Sequence, residues 1–98
     1  MKYEVEYSPE AIIHLRSLTV QQQRTVLDGV DRQLVEEPLV ATRNRKPMRA
    51  NPIAPWELRI GALRIYYEAS DEERLVLVRA IGVKERNRIL IGGEEIEL

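Results

Sequence analysis

The sequence predicts an α+β fold: an N-terminal strand, a helical hairpin, and then a three- to four-stranded antiparallel sheet. Three observations carry this. Apolar residues between Ala11 and Val35 recur at spacings of three and four, the period of a helix face. From Trp56 onward the pattern changes to alternation or to continuous apolar runs, which suit strands. Between the two regimes lies a segment with Pro38, Pro47, Pro52 and Pro55, which reads as an ordered but irregular connector.

Each element has its local signals. From Lys2 to Tyr7, Tyr3, Val5 and Tyr7 fall on one face and Lys2, Glu4 and Glu6 on the other, a half-buried strand. Ser8-Pro9-Glu10 reads as a helix start, with an N-cap, a proline at the first helical position and an acid for the dipole. That helix is short. Thr19 and Gln22 stand at capping-box spacing and open a second helix. Pro38 ends it near Glu37. Gly29 inside it is a weak spot that suits a close helix approach. A short strand around Val40 to Thr42 is expected in the connector. Trp56, Leu58 and Ile60 alternate with Glu57 and Arg59. Gly61-Ala62 makes a two-residue turn with glycine first, as type II′ requires. Leu63, Ile65 and Tyr67 then alternate with Arg64, Tyr66 and Glu68. Ser70 to Glu73 is a polar loop, and Leu75 to Ile81 is a central strand ended by Gly82. Ile89 to Leu98 reads as a hairpin about Gly92-Gly93.

Composition bounds the function. The 98 residues fit one domain, 1–98, and 44% hydrophobic content is enough for a single core. The absence of cysteine excludes disulfides and thiolate metal sites. With one histidine as well, no metal site and no cofactor are expected. Met1 to Glu4 lacks a signal-peptide pattern and no apolar run approaches ~20 residues, so a cytoplasmic location and no membrane contact are expected. The net charge of −1 conceals a basic middle: residues 41–70 hold six basic side chains and two acidic ones. This pattern fits one local anion site rather than a surface that coats nucleic acid.

The hairpin fixes its own register. A two-residue loop pairs Ile60 with Leu63, so Arg59 faces Arg64, Leu58 faces Ile65 and Glu57 faces Tyr66. Like charges directly opposed are destabilising. A carboxylate such as Glu57 or Glu68, or a ligand phosphate, should offset the repulsion. If Ala69 pairs with Arg74, Arg64 also faces Arg79. Either these arginines lie over apolar neighbours and pair with glutamates, or they form a phosphate site, for which a guanidinium is well shaped. Tyr66 shares their face, where its ring could stack on a base, while Tyr67 and Trp56 point to the core. His14 reads as a surface or packing residue.

In its order of elements the sequence resembles the RelE/ParE superfamily of toxins from type II toxin–antitoxin systems. The resemblance rests on YEVEYSPEA, on the helical hairpin ending in LVEEP, on PWELRIGALRIYY and on LVLVRAIGVKERNR, and covers nearly the whole chain. It implies the RelE-like fold and a cognate antitoxin as partner. For RelE-type members it further implies metal-independent endoribonuclease cleavage of messenger RNA in the ribosome, which inhibits translation. Arg59, Arg64 and Lys84 match basic positions of that site and would be catalytic. Arg45, Lys46 and Arg86 would hold the RNA backbone. Glu57 stands where that type carries a lysine and Leu90 where it carries a tyrosine, which removes the expected base. The alternatives are a ParE-like inhibitor of DNA gyrase with no catalysis of its own, and an inactive member that only binds antitoxin.

Overall fold

The computed structural model describes residues 2–97. Strand β1 (Glu4–Tyr7) leads into helices α1 (Pro9–Arg16) and α2 (Val20–Gln33). Six strands follow: β2 (Arg45–Pro47), β3 (Trp56–Ile60), β4 (Leu63–Ser70), β5 (Leu75–Glu85), β6 (Arg88–Ile91) and β7 (Glu94–Ile96). The expected antiparallel block is present, and short strands widen it into a seven-stranded sheet ordered β2-β3-β4-β5-β6-β7. Strand β5 organises the whole. One of its edges carries β4, from Leu75 opposite Ser70 to Val83 opposite Leu63. The other edge is shared: β1 runs parallel beside Leu75 to Val78, and β6 runs antiparallel beside Gly82 to Glu85.

The helix starts are built as the sequence signals them. The Ser8 hydroxyl oxygen accepts the Ala11 N–H at 3.1 Å, and the hydroxyl donates to the Arg79 carbonyl at 3.0 Å, so one side chain caps α1 and ties it to β5. Thr19 and Gln22 form the reciprocal capping box. Helix α2 stops at Gln33, short of the expected Glu37. There the Arg45 guanidinium caps the Gln33 carbonyl at 2.6 Å, and Tyr3 N–H takes the Val35 carbonyl at 2.7 Å, pulling the chain toward β1. The connector strand lies at Arg45–Pro47, not at Val40 to Thr42, because the exposed Val40 to Thr42 segment has no strand partner whereas Arg45 lies opposite Leu58.

The sheet has two apolar faces. The main core joins Ala11, Val26 and Val30 from the helices, and Leu34 just past α2, to Leu58, Ile65, Tyr67, Val76 and Val78 from the sheet. Trp56 packs against it, its ring 6.1 Å from that of Tyr67. The Tyr67 hydroxyl donates to the Pro38 carbonyl at 2.6 Å, so this buried phenol is satisfied. A smaller core on the other face joins Tyr66, Ala80 and Ile91 to Ala54, with Ile53 and Met48 of the proline-rich loop packed over it. Among the described residues no helix is long and apolar enough to cross a membrane.

Two glycines mark close approaches. A Cβ at Gly29 would collide with Ile60 Cδ1, so α2 lies directly on the end of β3. Gly82 does not end its strand, as the sequence suggests. It sits within β5, where a Cβ would meet Ile91 Cγ1 and the Leu90 carbonyl oxygen, each at 2.9 Å. Its bareness lets β6 close on β5. The terminal hairpin forms about Gly92-Gly93, and Leu98 lies outside the described residues.

Gly82→Ala should therefore lower stability by about 1–3 kcal/mol, since a backbone carbonyl must move. Gly29→Ala should cost less, because Ile60 Cδ1 is the free end of a side chain and alanine favours the helix by about 1 kcal/mol. Urea midpoints of the two variants check the order.

His14 supplies a pH-dependent tie. Its Nδ1 accepts the Ile81 N–H at 3.2 Å, and burial pushes the imidazole below its ordinary value. Protonation would remove the acceptor and charge a half-buried ring. The contribution is thus fully present above about pH 6.5 and is lost as pH falls through the lowered native value. Between about pH 7 and 5 the native chain should lose more stability than His14→Leu, as read from urea melts at each pH.

Candidate functional site

The turn between β3 and β4 has Gly61 at φ +57°, the left-handed conformation that glycine adopts freely. It sets Ile60 opposite Leu63, Arg59 opposite Arg64 and Glu57 opposite Tyr66, the register expected from the sequence. The two guanidiniums avoid one another. Arg59 Nε donates to Glu57 Oε1 at 2.6 Å, with the Arg59 side chain 46% exposed and that of Glu57 only 9%. Arg64 folds back over its own turn, and its Nη1 donates to the Gly61 and Leu63 carbonyls at 2.7 and 2.9 Å. A buried carboxylate and two carbonyl dipoles thus answer the like-charge contact. Glu68 plays no part, since it pairs with Arg79 at 3.0 Å.

An open cleft of about 420 Å³ lies over this pair. Five cations line it: Lys46, Arg49, Arg59, Arg64 and Lys84. Glu57 is the one carboxylate lining it among the described residues. Lys46 comes from β2, opposite Glu57. Lys84 comes from the end of β5, whose N–H donates to the Ala62 carbonyl at 2.7 Å, fastening that strand to the β3–β4 turn. Arg49 comes from the proline-rich loop. Met48 N–H closes that loop onto the Pro55 carbonyl at 2.8 Å. Asn51 braces its interior: Oδ1 accepts the Ile53 and Ala54 N–H groups, and Nδ2 donates to the Arg49 and Ala54 carbonyls. Sequence reasoning counted Arg49 in the basic segment but did not place it in the site. The charge excess was its only signal, because the loop closure that aims it depends on Asn51.

Three expected binding residues lie elsewhere. Arg45 is buried, with Nε on the Val40 carbonyl at 3.0 Å and Nη1 on the Gln33 carbonyl at 2.6 Å. It staples β2 to the end of α2 and lies outside the cleft lining. Tyr66 is fully buried in the smaller core and presents no ring face to a base. Among the described residues its hydroxyl makes no hydrogen bond of good geometry, and burial, followed by the nearby Glu57 carboxylate, pushes the phenol up, with Arg64 and Arg59 opposing. Arg86 is exposed in the β5–β6 turn at φ +57°, outside the cleft lining, where its neighbour Asn87 stands instead. Arg79 does not face Arg64: Ala69 pairs with Val76 rather than Arg74, and a bulge between Tyr66 and Tyr67 adds one more residue of offset, which sets Arg64 opposite Gly82. Leu90 is half-buried on β6.

A strand, two helices and an antiparallel sheet in this order make the RelE-like α+β fold, and the chain is RelE/ParE-like. Two solved structures share the fold. One comes from the toxin–antitoxin complex RelBE2 of Mycobacterium tuberculosis, with TM-score 0.74 and 25% identity over 86% of this chain and 100% of that one. The other comes from the archaeal RelE–RelB complex of Pyrococcus horikoshii, with TM-score 0.70 and 19% identity over 88% of this chain and 99% of that one. No protein-family model and no curated protein matches the sequence.

The geometry reverses one expectation. Opposed arginines suggest that removing one relieves strain, yet Arg64→Ala gives up two carbonyl bonds of a buried cation. It should lower stability by about 1–3 kcal/mol, whereas Lys46→Ala should stay within about 0.5 kcal/mol of the native chain. Denaturant titrations of both variants check this.

Proposed function

We propose that the chain is the toxin of a toxin–antitoxin pair and an endoribonuclease that cuts messenger RNA on the ribosome. The observation that carries this reading is the gathering of five cations around one cleft on a RelE-like sheet. Arg59, Arg64 and Lys84 would grip the scissile phosphate, and their charge would act most strongly on the pentacoordinate state, which carries more negative charge than the substrate. Lys46 and Arg49 lie toward the rim strand and loop and would hold neighbouring phosphates. The same cationic cleft suits an acidic antitoxin segment, which would block RNA by occupying it. Exposed apolar residues on the helices, Ile13 and Val20 among them, offer that partner a further surface.

Induction of the chain followed by primer extension on cellular messages tests this. Cuts at codons of translated frames are expected. DNA breaks dependent on gyrase, with intact messages, would replace this reading by the gyrase one. Arg59→Ala, compared per folded molecule, should slow cutting by about 10²–10³-fold, the scale for loss of one preorganised charge at a transition state. Lys46→Ala should instead weaken RNA binding and reduce its salt dependence.

A further inference from the structure

We propose that Glu57 is the general base of the cleft and takes the proton from the attacking RNA 2′-hydroxyl; this rests on the endoribonuclease function proposed for the same site. Cleavage of RNA by its own 2′-oxygen requires a group that accepts that proton. The three lining arginines stay charged and cannot accept one, a lysine can do so only after giving up its own proton, and the asparagine amides of the cleft are not basic. Leu90 carries no acid–base group. Tyr66 is sealed in the smaller core, where burial and the Glu57 charge hold its phenol protonated. His14, the chain's one histidine, is bonded to the Ile81 N–H and lines a different groove. Among the described residues Glu57 alone combines a carboxylate oxygen with a place in the lining.

Its setting suits the task. The carboxylate is held at the side of the cleft by Arg59 on Oε1, and among the described residues no donor is bonded to Oε2. Tyr66 stands directly opposite in register, near enough for the Glu57 carboxylate to push its phenol up after burial. Its side chain is nine-tenths buried, so it is fixed rather than swinging in solvent. The step balances. The 2′-hydroxyl proton passes to Oε2, the 2′-oxygen bonds to phosphorus, and the bond from phosphorus to the 5′-oxygen breaks. The 5′-oxygen takes a proton from solvent, and Glu57 later releases its own. The products are a 2′,3′-cyclic phosphate and a 5′-hydroxyl.

The test is single-turnover cleavage of messenger RNA on programmed ribosomes by the native chain, Glu57→Gln and Glu57→Asp. A melt and a binding measurement with RNA carrying a 2′-deoxy nucleotide at the cut site accompany each. Glu57→Gln should bind the deoxy analogue as tightly as the native chain or tighter, since a negative charge has gone. Its cleavage rate should fall about 10²–10⁴-fold, the range for a general base. The native rate should decline toward acid pH, and that limb should vanish in Glu57→Gln. Glu57→Asp, which keeps the carboxylate, should keep the limb at a reduced rate and carries the test if the glutamine variant does not fold. Cleavage by Glu57→Gln at the native rate, an acid limb that survives in it, or a loss accounted for by weaker binding alone would overturn the assignment and leave the endoribonuclease reading standing. Intact messages with the native chain would overturn both.

Discussion

The two-residue turn at Gly61-Ala62 is the constraint on which core and cleft both depend. Side chains alternate along β3 and β4, so one choice of register decides the fate of both faces together. In the observed register Leu58, Leu63, Ile65 and Tyr67 enter the helix-covered core, while Arg59, Arg64 and Glu57 line the cleft. A slip of one residue would carry the arginines under the helices and the leucines into water. The like-charge contact between Arg59 and Arg64 is therefore not a local accident that the chain could shed by sliding. The apolar face holds it in place, at roughly 1.5–3 kcal/mol per buried aliphatic side chain against ~0.2–1 kcal/mol for a cross-strand pair.

The protein then manages that contact with short-range partners rather than by diluting charge. Glu57 neutralises one guanidinium across two residues of the same strand, and the carbonyls of the turn itself take the other. Because the whole chain carries a net charge of only −1, the cleft's field is local. At physiological ionic strength, charges more than about 8 Å away are largely screened, so affinity for a polyanion has to come from the cleft's own cations.

Much of this was legible in the sequence because it is local. The capping box at Thr19 and Gln22, the turn at Gly61 and the alternation on either side of it need only a few neighbouring residues to be read. What escaped depends on distant parts of the chain. The pairing of β1 with β5 spans some seventy residues of sequence, from Glu4 to Leu75. The β4–β5 loop pairs Ala69 with Val76 rather than Arg74, and with the bulge at Tyr66 and Tyr67 this register takes Arg79 out of the arginine row. Arg45 looked like one more basic residue in a basic loop, and only the docking of β2 beside the end of α2 shows three acceptors waiting for it. Tyr66 stands on the arginine face as alternation requires. Its burial comes from a loop, with Ala54 and Ile53 folded over it, which no periodicity announces.

That same loop explains why the candidate site is also where local rules are broken. Residues 48–55 cover the smaller core with Ile53 and Ala54 and at the same time present Arg49 to the cleft, so packing and charge are set by one closure at Met48 and Pro55. Sealing Tyr66 beneath it leaves a phenol hydroxyl without a hydrogen bond of good geometry among the described residues, a defect that costs about 1–3 kcal/mol when a buried donor is unmet. Elsewhere the buried phenol of Tyr67 is satisfied by Pro38. The unmet donor lies across one strand pair from Glu57, beside two opposed arginines. An orphan hydroxyl, a buried carboxylate and a like-charge pair would each be removed by selection for stability alone. Their concentration within one strand pairing argues that this patch is kept for what it binds, and that the large apolar core on the opposite face supplies the stability it forgoes.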